Sequence, residues 1–171
     1  MILYLMRHGT AVNREDPAAP AEAERYLTPK GIEKTKAAAR GLRVLGIQPD
    51  LMLASPYLRA VQTAEIVCAA LDFPESKVRR TDALMPEAKP AALFEELAHV
   101  KAQEVMCFGH APHMDEAIAF AVRASTSFTA LKKSGAACLE MESLSPPRAT
   151  LVWLLGPKTL RLLRKPKGKD V

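Results

Sequence analysis

The sequence has few of the features that mark disulfide-bonded, membrane-spanning or nucleic-acid-binding proteins. Its 171 residues include only three cysteines and no Cys-x-x-Cys pair, which predicts buried, reduced thiols at Cys68, Cys107 and Cys138. Aromatic residues make up 5% of the chain, too few for a platform that stacks single-stranded nucleic acid. No apolar run approaches transmembrane length, and the run at the start is too short for a signal peptide. We therefore expect a cytoplasmic protein with no membrane partner.

An excess of positive charge is present only at the C-terminus. The formal net charge is +5, and residues 158–171 account for it with six basic residues and one acidic residue. The chain's 24 basic and 19 acidic residues thus leave 18 of each for residues 1–157. A terminal charge run is usually a solvated end. We interpret residues 1–157 as a single domain and 158–171 as a basic tail, and we expect no nucleic-acid partner.

Short apolar runs alternate with amphipathic segments along the chain. This alternation predicts a mostly parallel sheet covered by helices on both faces. The predicted strands are 2–6, 50–55, 78–81 and 104–109, with a hairpin of 136–142 and 149–155 around a long loop. The predicted helices begin at Thr28-Pro29, after Pro56, near residue 90 and after Pro112. The polar segment 10–27 is long enough to indicate a functional loop.

Charged and polar side chains follow three of the predicted strands at their carboxyl ends. They are Arg7 and His8, Ser55 and Arg59, and His110. In an open α/β sheet, ligands bind in the crevice at that edge. Residues a hundred positions apart are therefore expected to meet in one crevice.

This set of side chains suits a phosphoryl group. Arginine offers planar, bidentate donors that match phosphate oxygens, and helix N-termini add positive dipole ends. One such helix follows His110-Ala111-Pro112, which makes Ala111 a candidate substrate-binding residue. Gly9 would let the backbone approach the bound anion without a side chain in between.

Three sequence blocks resemble the histidine phosphatase superfamily, the phosphoglycerate mutase-like family. They are "LMRHGTA", "SPYLRAVQTAEI" and "CFGHAP", in that order. The segment "YLTPKGIEKTKAAA" and the short chain are closer still to the small phosphohistidine phosphatases of the SixA type. The resemblance covers residues 1 to about 155 and implies a three-layer α/β/α sandwich of the phosphoglycerate mutase-like type.

The resemblance also implies roles for individual residues. His8 would attack phosphorus and become a phosphohistidine, which water then hydrolyses. Arg7, Arg59 and His110 would hold the equatorial oxygens as negative charge develops on them. His8 must attack as the neutral imidazole, and a hydrogen bond from its other nitrogen to a backbone carbonyl near Gly9 would fix the tautomer. Such chemistry requires no metal and no other cofactor.

Two departures from the family pattern bear on the substrate. Longer members that cleave sugar phosphates carry a carboxylic general acid, for which the candidate here is Glu87 in "LMPEAKP". The Trp-Asn that often follows the first motif in mutases is replaced by "AVNRED", in which Asn13 would supply part of its function. Phosphohistidine is a better leaving group than an alkoxide and needs less acid help. We therefore predict a phosphatase acting on a phosphorylated protein, either a phosphotransfer domain or a histidine kinase. The alternative is a phosphatase of small phosphate monoesters.

Several of these residues also have simpler interpretations. Arg59 could pair with Glu65 on its own helix, and Ser55 would mainly cap that helix. Lys132 and Lys133 are expected to face solvent. His113 and Asp115 fit no standard metal spacing. Two functions other than catalysis are also possible for such a sequence. The protein could be a module that binds phosphate without cleaving it, or it could bind nucleic acid through the tail. The first would not need His8, and the second is disfavoured by the neutral charge of residues 1–157.

Overall fold

The computed structural model describes residues 1–163, which form a six-stranded sheet in the order β3-β2-β4-β1-β5-β6. The strands are β1 (Ile2–Arg7), β2 (Leu51–Ala54), β3 (Arg79–Arg80), β4 (Glu104–Gly109), β5 (Ala136–Leu144) and β6 (Pro147–Leu155). The helices are α1 (Pro29–Val44), α2 (Leu58–Leu71), α3 (Pro90–Ala98), α4 (His113–Ala121) and α5 (Pro157–Leu160). The predicted strands and helices are confirmed, with ends that shift by a few residues.

The sheet is parallel from β3 to β1 and antiparallel from β1 to β6. The prediction of a long loop between β5 and β6 is wrong. Backbone pairing continues as far as Leu144 opposite Pro147, so only Ser145 and Pro146 link the strands. The residues of β5 and β6 next to the turn are partly or fully exposed. The alternation of apolar residues in the sequence therefore ends before the backbone hydrogen bonding between the two strands ends.

Each face of the sheet packs against its own apolar layer. In β1, Leu3 and Leu5 belong to the core beneath α3 and α4, whereas Tyr4 and Met6 belong to the core beneath α1 and α2. The same alternation occurs in β4. Because side chains alternate across a strand, an uninterrupted apolar run is what a strand buried on both faces requires. The predicted three-layer α/β/α sandwich is confirmed.

Helix α1 is fixed at its start to the segment that follows β1. Its N-cap Thr28 accepts a hydrogen bond from the Gly31 amide at 3.0 Å, as the sequence predicts. The Thr28 amide donates to the Thr10 carbonyl at 2.9 Å. A side chain at Gly31 would collide with that same Thr10 carbonyl. The first turn of α1 therefore packs directly against the chain leaving Gly9.

The start of the predicted tail packs against the domain. Leu160 in α5 is fully buried, and its backbone lies against Gly41 of α1, where an added Cβ would collide with the Leu160 carbonyl. Residues 164–171 of the predicted tail lie outside the described residues. None of the helices within residues 1–163 has the length and apolar character that crossing a bilayer requires.

Candidate active site

Arg7 and His8 lie where β1 ends, between β4 and the start of β5. The Arg7 amide donates to the Gly135 carbonyl at 3.1 Å, and the His8 amide donates to the Gly109 carbonyl at 2.9 Å. The backbone on both sides of β1 therefore fixes the position from which the two side chains leave the sheet. His8 is 6% exposed.

The His8 ring is held as a neutral imidazole with one nitrogen lone pair available. Its Nδ1 lies 2.7 Å from the Gly9 carbonyl oxygen, which can only accept, so Nδ1 carries the proton. Nε2 accepts a hydrogen bond from Arg59 Nε at 3.3 Å. Burial, together with the nearby Arg59, Arg7 and Lys133, lowers the pKa of His8 to about 3, although the Gly9 bond opposes the shift. The predicted bond to the Gly9 carbonyl is present, and it leaves the lone pair of the ring on Nε2.

Packing next to His8 requires a glycine at position 9. A side chain there would collide with Thr35 Oγ1 and crowd Leu27 and Ser134. The Gly9 amide donates to Thr63 Oγ1 at 3.0 Å, and Thr63 Oγ1 donates to the Arg59 carbonyl at 2.6 Å. The missing side chain thus makes room for Thr35 of α1 and for the segments that precede α1 and β5, and the Thr63 hydroxyl joins the end of β1 to α2.

Arg59 on α2 is 3% exposed, and all three of its nitrogens are bonded. Nη1 donates to the Glu22 carbonyl at 2.7 Å and Nη2 to Glu22 Oε1 at 2.9 Å, while Nε faces His8. The guanidinium carbon lies 5.0 Å from the centre of the Tyr57 ring. Glu65, which the sequence offered as an alternative partner for Arg59 on the same helix, does not pair with it. The acidic partner comes instead from a short 3-10 turn, Glu22–Glu24, in the 10–27 segment.

His110 follows β4 and faces His8, with 5.0 Å between ring centres. Its Nε2 lies 2.8 Å from Ser55 Oγ, so Ser55 orients this imidazole. The expectation that Ser55 mainly caps α2 is wrong, because Tyr57 is the N-cap and no side chain caps that helix. Burial lowers the pKa of His110 to about 2, and the nearby His8 and Arg59 add to the effect. Without a bound anion, His110 is therefore neutral.

Two buried nitrogens at this site make no hydrogen bond within the described chain: Arg7 Nε and His110 Nδ1. Arg7 also donates from Nη1 to the Leu131 carbonyl at 2.9 Å. A buried polar group without a partner costs free energy, so an anion able to accept from both groups is favoured there. Two guanidiniums and two imidazoles are therefore close together, and these donors suit the oxygens of a phosphoryl group.

Comparison with known proteins identifies the family. A model of the histidine phosphatase superfamily (branch 1) matches residues 3–86. An uncharacterized protein of Picosynechococcus sp. is 37% identical over 139 residues, which cover 79% of this chain and 82% of that protein. The chain belongs to the histidine phosphatase superfamily. It is thus a phosphatase of that superfamily, with a phosphorylated substrate.

Named members of the superfamily differ in what their names say they act on. Phosphohistidine phosphatase SixA of Escherichia coli is 29% identical over 119 residues, covering 66% of this chain and 68% of that one. A solved structure of the protein histidine phosphatase SixA with tungstate superposes with a TM-score of 0.81 at 26% identity, covering 94% of this chain and 99% of that one. The predicted phosphoglycerate mutase-like fold is thereby confirmed. The serine/threonine-protein phosphatase Pgam5 of Drosophila persimilis is 29% identical over 106 residues, or 62% of this chain, which spans only 35% of that protein.

The other predicted site residues take no part in these contacts. Asn13 is exposed, and its Oδ1 accepts a hydrogen bond from the Glu15 amide at 3.3 Å. Glu87 is exposed in the turn before α3, with no hydrogen bond or ion pair to another residue within 1–163. Ala111 is half-buried beside His110. His113 and Asp115 form no metal cluster with a third ligand among the described residues.

Two contributors were missed at the sequence level. Glu22 lies in a loop without periodicity, so nothing in its spacing indicates that it reaches Arg59. Lys133 was expected only to face solvent, and it is indeed exposed. Partial burial and the nearby Arg7, Arg25 and Arg59 nevertheless lower its pKa, because it adjoins Ser134, whose amide donates to the Arg7 and His8 carbonyls at 3.0 and 3.2 Å. The hydrogen bonds of Ser134 to the end of β1, which bring Lys133 near the site, could not be read from the sequence.

Proposed function

We propose that this phosphatase removes the phosphoryl group from phosphohistidine on a protein, through a covalent intermediate on His8. The observation that carries the proposal is the fixed tautomer of His8. Nδ1 is committed to the Gly9 carbonyl at 2.7 Å, so the lone pair of the ring is on Nε2, where it accepts from Arg59 Nε at 3.3 Å. The similarity to SixA supports the choice of phosphohistidine as substrate.

The reaction would proceed in two displacements at phosphorus. The Nε2 lone pair of His8 forms a bond to phosphorus as the P–N bond to the substrate imidazole breaks, and the released nitrogen takes up a proton. Water then attacks phosphorus, the bond to Nε2 breaks, and inorganic phosphate leaves with His8 restored. Arg7 and Arg59 would balance the charge on the oxygens in both steps.

His110 would change its protonation state during this cycle. Its pKa lies at about 2 in the empty site because of burial and neighbouring cations. A phosphoryl dianion beside Nδ1 favours the charged form and supplies the acceptor that this nitrogen lacks. His110 would therefore bind the oxygens as imidazolium only while phosphate is present.

The position of Glu87 supports a substrate with a good leaving group. An alkoxide needs a proton from a positioned acid, which typically contributes 10²–10⁴-fold to the rate. Glu87 is exposed and bonded to no other residue in the described part of the chain. A leaving imidazole demands less of such an acid, which favours phosphohistidine over a phosphate ester.

Phosphate monoesters remain the second candidate. The similarity to a serine/threonine-protein phosphatase favours this reading, since phosphoserine and phosphothreonine are alkyl esters. Glu87 would then have to donate the proton. The two candidate functions therefore differ in whether hydrolysis requires Glu87 as a general acid.

The deciding experiment compares a phosphohistidine-bearing phosphotransfer domain with O-phosphoserine, an alkyl monoester whose alkoxide leaving group needs a proton, both assayed in the presence of a chelator. We expect rapid loss of phosphohistidine and slow ester hydrolysis. His8→Ala should lower turnover of both about 10³-fold or more while phosphate still binds, because both arginines remain. Glu87→Gln should leave phosphohistidine turnover unchanged and reduce ester hydrolysis.

Other outcomes would redirect the proposal. Good ester hydrolysis with untouched phosphohistidine would move the substrate to a monoester while keeping His8 as nucleophile. Unchanged turnover in His8→Ala would overturn the mechanism.

A further inference from the structure

A groove of about 370 Å³ opens beside Arg7, between the start of α4 and the segment 127–132. Arg7 and Ala111 belong to both the groove and the candidate site, so the groove begins where the site ends. The residues that form its walls include Arg7, Ala111, Asp115, Ser127, Thr129 and Lys132.

The outer wall of the groove is fixed to the catalytic strand. Asp115 Oδ1 accepts hydrogen bonds from Thr129 Oγ1 at 2.6 Å and from the Leu131 amide at 2.8 Å. The Leu131 carbonyl in turn accepts from Arg7 Nη1 at 2.9 Å. Asp115 is 6% exposed, so these bonds lie inside the protein. The groove is therefore held in a constant position relative to Arg7.

The segment that forms one wall of the groove also carries an exposed phenylalanine and two cations. Phe128 lies between the wall residues Ser127 and Thr129 and is 57% exposed. Lys132 forms part of the wall, and Lys133 follows it, and both are exposed. Phenylalanine is enriched at protein–protein interfaces, and positive charge beside it attracts an acidic partner.

We propose that this groove binds the polypeptide segment that carries the phosphohistidine. The segment would place an apolar side chain against Phe128 and acidic residues opposite Lys132 and Lys133. The inference rests on the proposed function, because it requires the phosphoryl group to sit beside Arg7. The chain flanking a phosphohistidine must then run over surfaces continuous with the site, and the groove shares Arg7 and Ala111 with it.

The test uses two substrates with the same leaving group: a phosphotransfer domain phosphorylated on its histidine, and free phosphohistidine. Phe128→Ser and Lys132→Glu remove the aromatic ring and reverse the charge. The matched controls are Val152→Ser, at a side chain 52% exposed on β6, and Lys101→Glu, at an exposed lysine just before the opposite end of β4.

We expect both groove variants to lower kcat/KM for the phosphorylated domain, Phe128→Ser about tenfold and Lys132→Glu about fivefold. The Lys132→Glu loss should shrink as salt is added, because exposed charges are screened. Turnover of free phosphohistidine should not change in either variant, and the two controls should match the wild type with both substrates.

The outcomes separate this inference from the function on which it rests. Equal effects of the groove variants on both substrates, or no effect on either, would overturn the groove while leaving the phosphohistidine activity intact. Turnover of free phosphohistidine but not of the phosphorylated domain would also overturn it. If the wild type cleaves neither substrate, the proposed function fails and the groove proposal fails with it.

Discussion

At the scale of single residues, the site depends on two imidazoles that are buried without charge. His8 and His110 are 6% and 2% exposed, and burial lowers the pKa of both far below 6.5. An unfolded chain would protonate both below about pH 6.5. Keeping His8 and His110 neutral in the folded protein is thus linked to a loss of stability in acid.

We expect His110→Gln to weaken the dependence of stability on acid pH. The folded pKa is about 2 and the unfolded value 6.5, so the unfolded state binds more protons between these values. The stability from neutral His110 is present above pH 6.5 and declines as the pH falls below it. Between pH 7 and 5, the free energy of unfolding should fall by roughly 1–2 kcal/mol less in His110→Gln than in the wild type.

Urea unfolding at pH 7, 6 and 5 measures this slope. The exposed His99 provides a control, and His99→Gln should keep the wild-type slope. A slope unchanged in His110→Gln would show that His110 accepts its proton in the folded state.

The contact of Glu22 with Arg59 could not be predicted from the sequence. The sequence predicted that Arg7, His8, Arg59 and His110 lie close together. Their positions at the carboxyl ends of predicted strands and the family resemblance both indicated this. No motif includes Glu22, and only the path of the 10–27 segment brings it to Arg59. The Glu22 carboxylate accepts a hydrogen bond from Arg59 Nη2 at 2.9 Å. We expect this same nitrogen to bind a phosphoryl oxygen when substrate is present.

We expect Glu22→Gln to bind inorganic phosphate more tightly than the wild type. Phosphate and the Glu22 carboxylate compete for Arg59 and repel each other, so removing the charge favours the anion. The inhibition constant of phosphate should fall at least about threefold. Glu24→Gln, in the same exposed turn, is the control for net charge. Equal constants in the two variants would mean that Glu22 does not compete with phosphate.

At the scale of elements, the sequence predicted the types of strands and helices better than the contacts between them. Thr28 and Pro29 signalled the start of α1, and an apolar run signalled β4 with its exact ends. The hairpin of β5 and β6 was predicted with too long a loop, because its ladder continues through exposed residues. The approach of α1 to the chain beyond Gly9 leaves no pattern in the sequence.

That approach gives a prediction for Gly31→Ala. Alanine is normally preferred over glycine inside a helix by up to about 1 kcal/mol. Here the added methyl group would collide with the Thr10 carbonyl, which is backbone and cannot rotate away. We expect a net destabilisation of about 1–3 kcal/mol and a lower kcat, because the displaced Thr10 follows Gly9, which orients His8.

Gly41→Ala is the matched control for this change. Its methyl group would meet the Leu160 carbonyl in α5, away from His8. It should destabilise to a similar extent, measured by urea unfolding, but leave kcat unchanged. A loss of kcat in both variants would indicate a general effect of helix displacement.

At the scale of the whole molecule, the boundary of the domain is open to a direct test. Leu160 falls within the predicted tail yet is fully buried against α1, whereas Leu162 is 69% exposed. We expect Leu160→Ala to lower the free energy of unfolding by about 2–4 kcal/mol, because a buried leucine leaves a cavity. Leu162→Ala should change it by less than about 0.5 kcal/mol. Equal effects would place the boundary at residue 157, as the charge pattern alone indicated.

The strand order has a consequence for the newly made chain. Strand β1 is synthesised before the other strands of the sheet, but its neighbours β4 and β5 lie about a hundred or more residues further along the chain. At roughly 5–20 residues per second, β1 waits about 5–20 s on the ribosome before its first partner exists. During that time an apolar segment with no neighbour on either side is open to chaperones and to other nascent chains. The arrangement that gives His8 its rigid support thus makes the enzyme's first strand its most vulnerable one during synthesis.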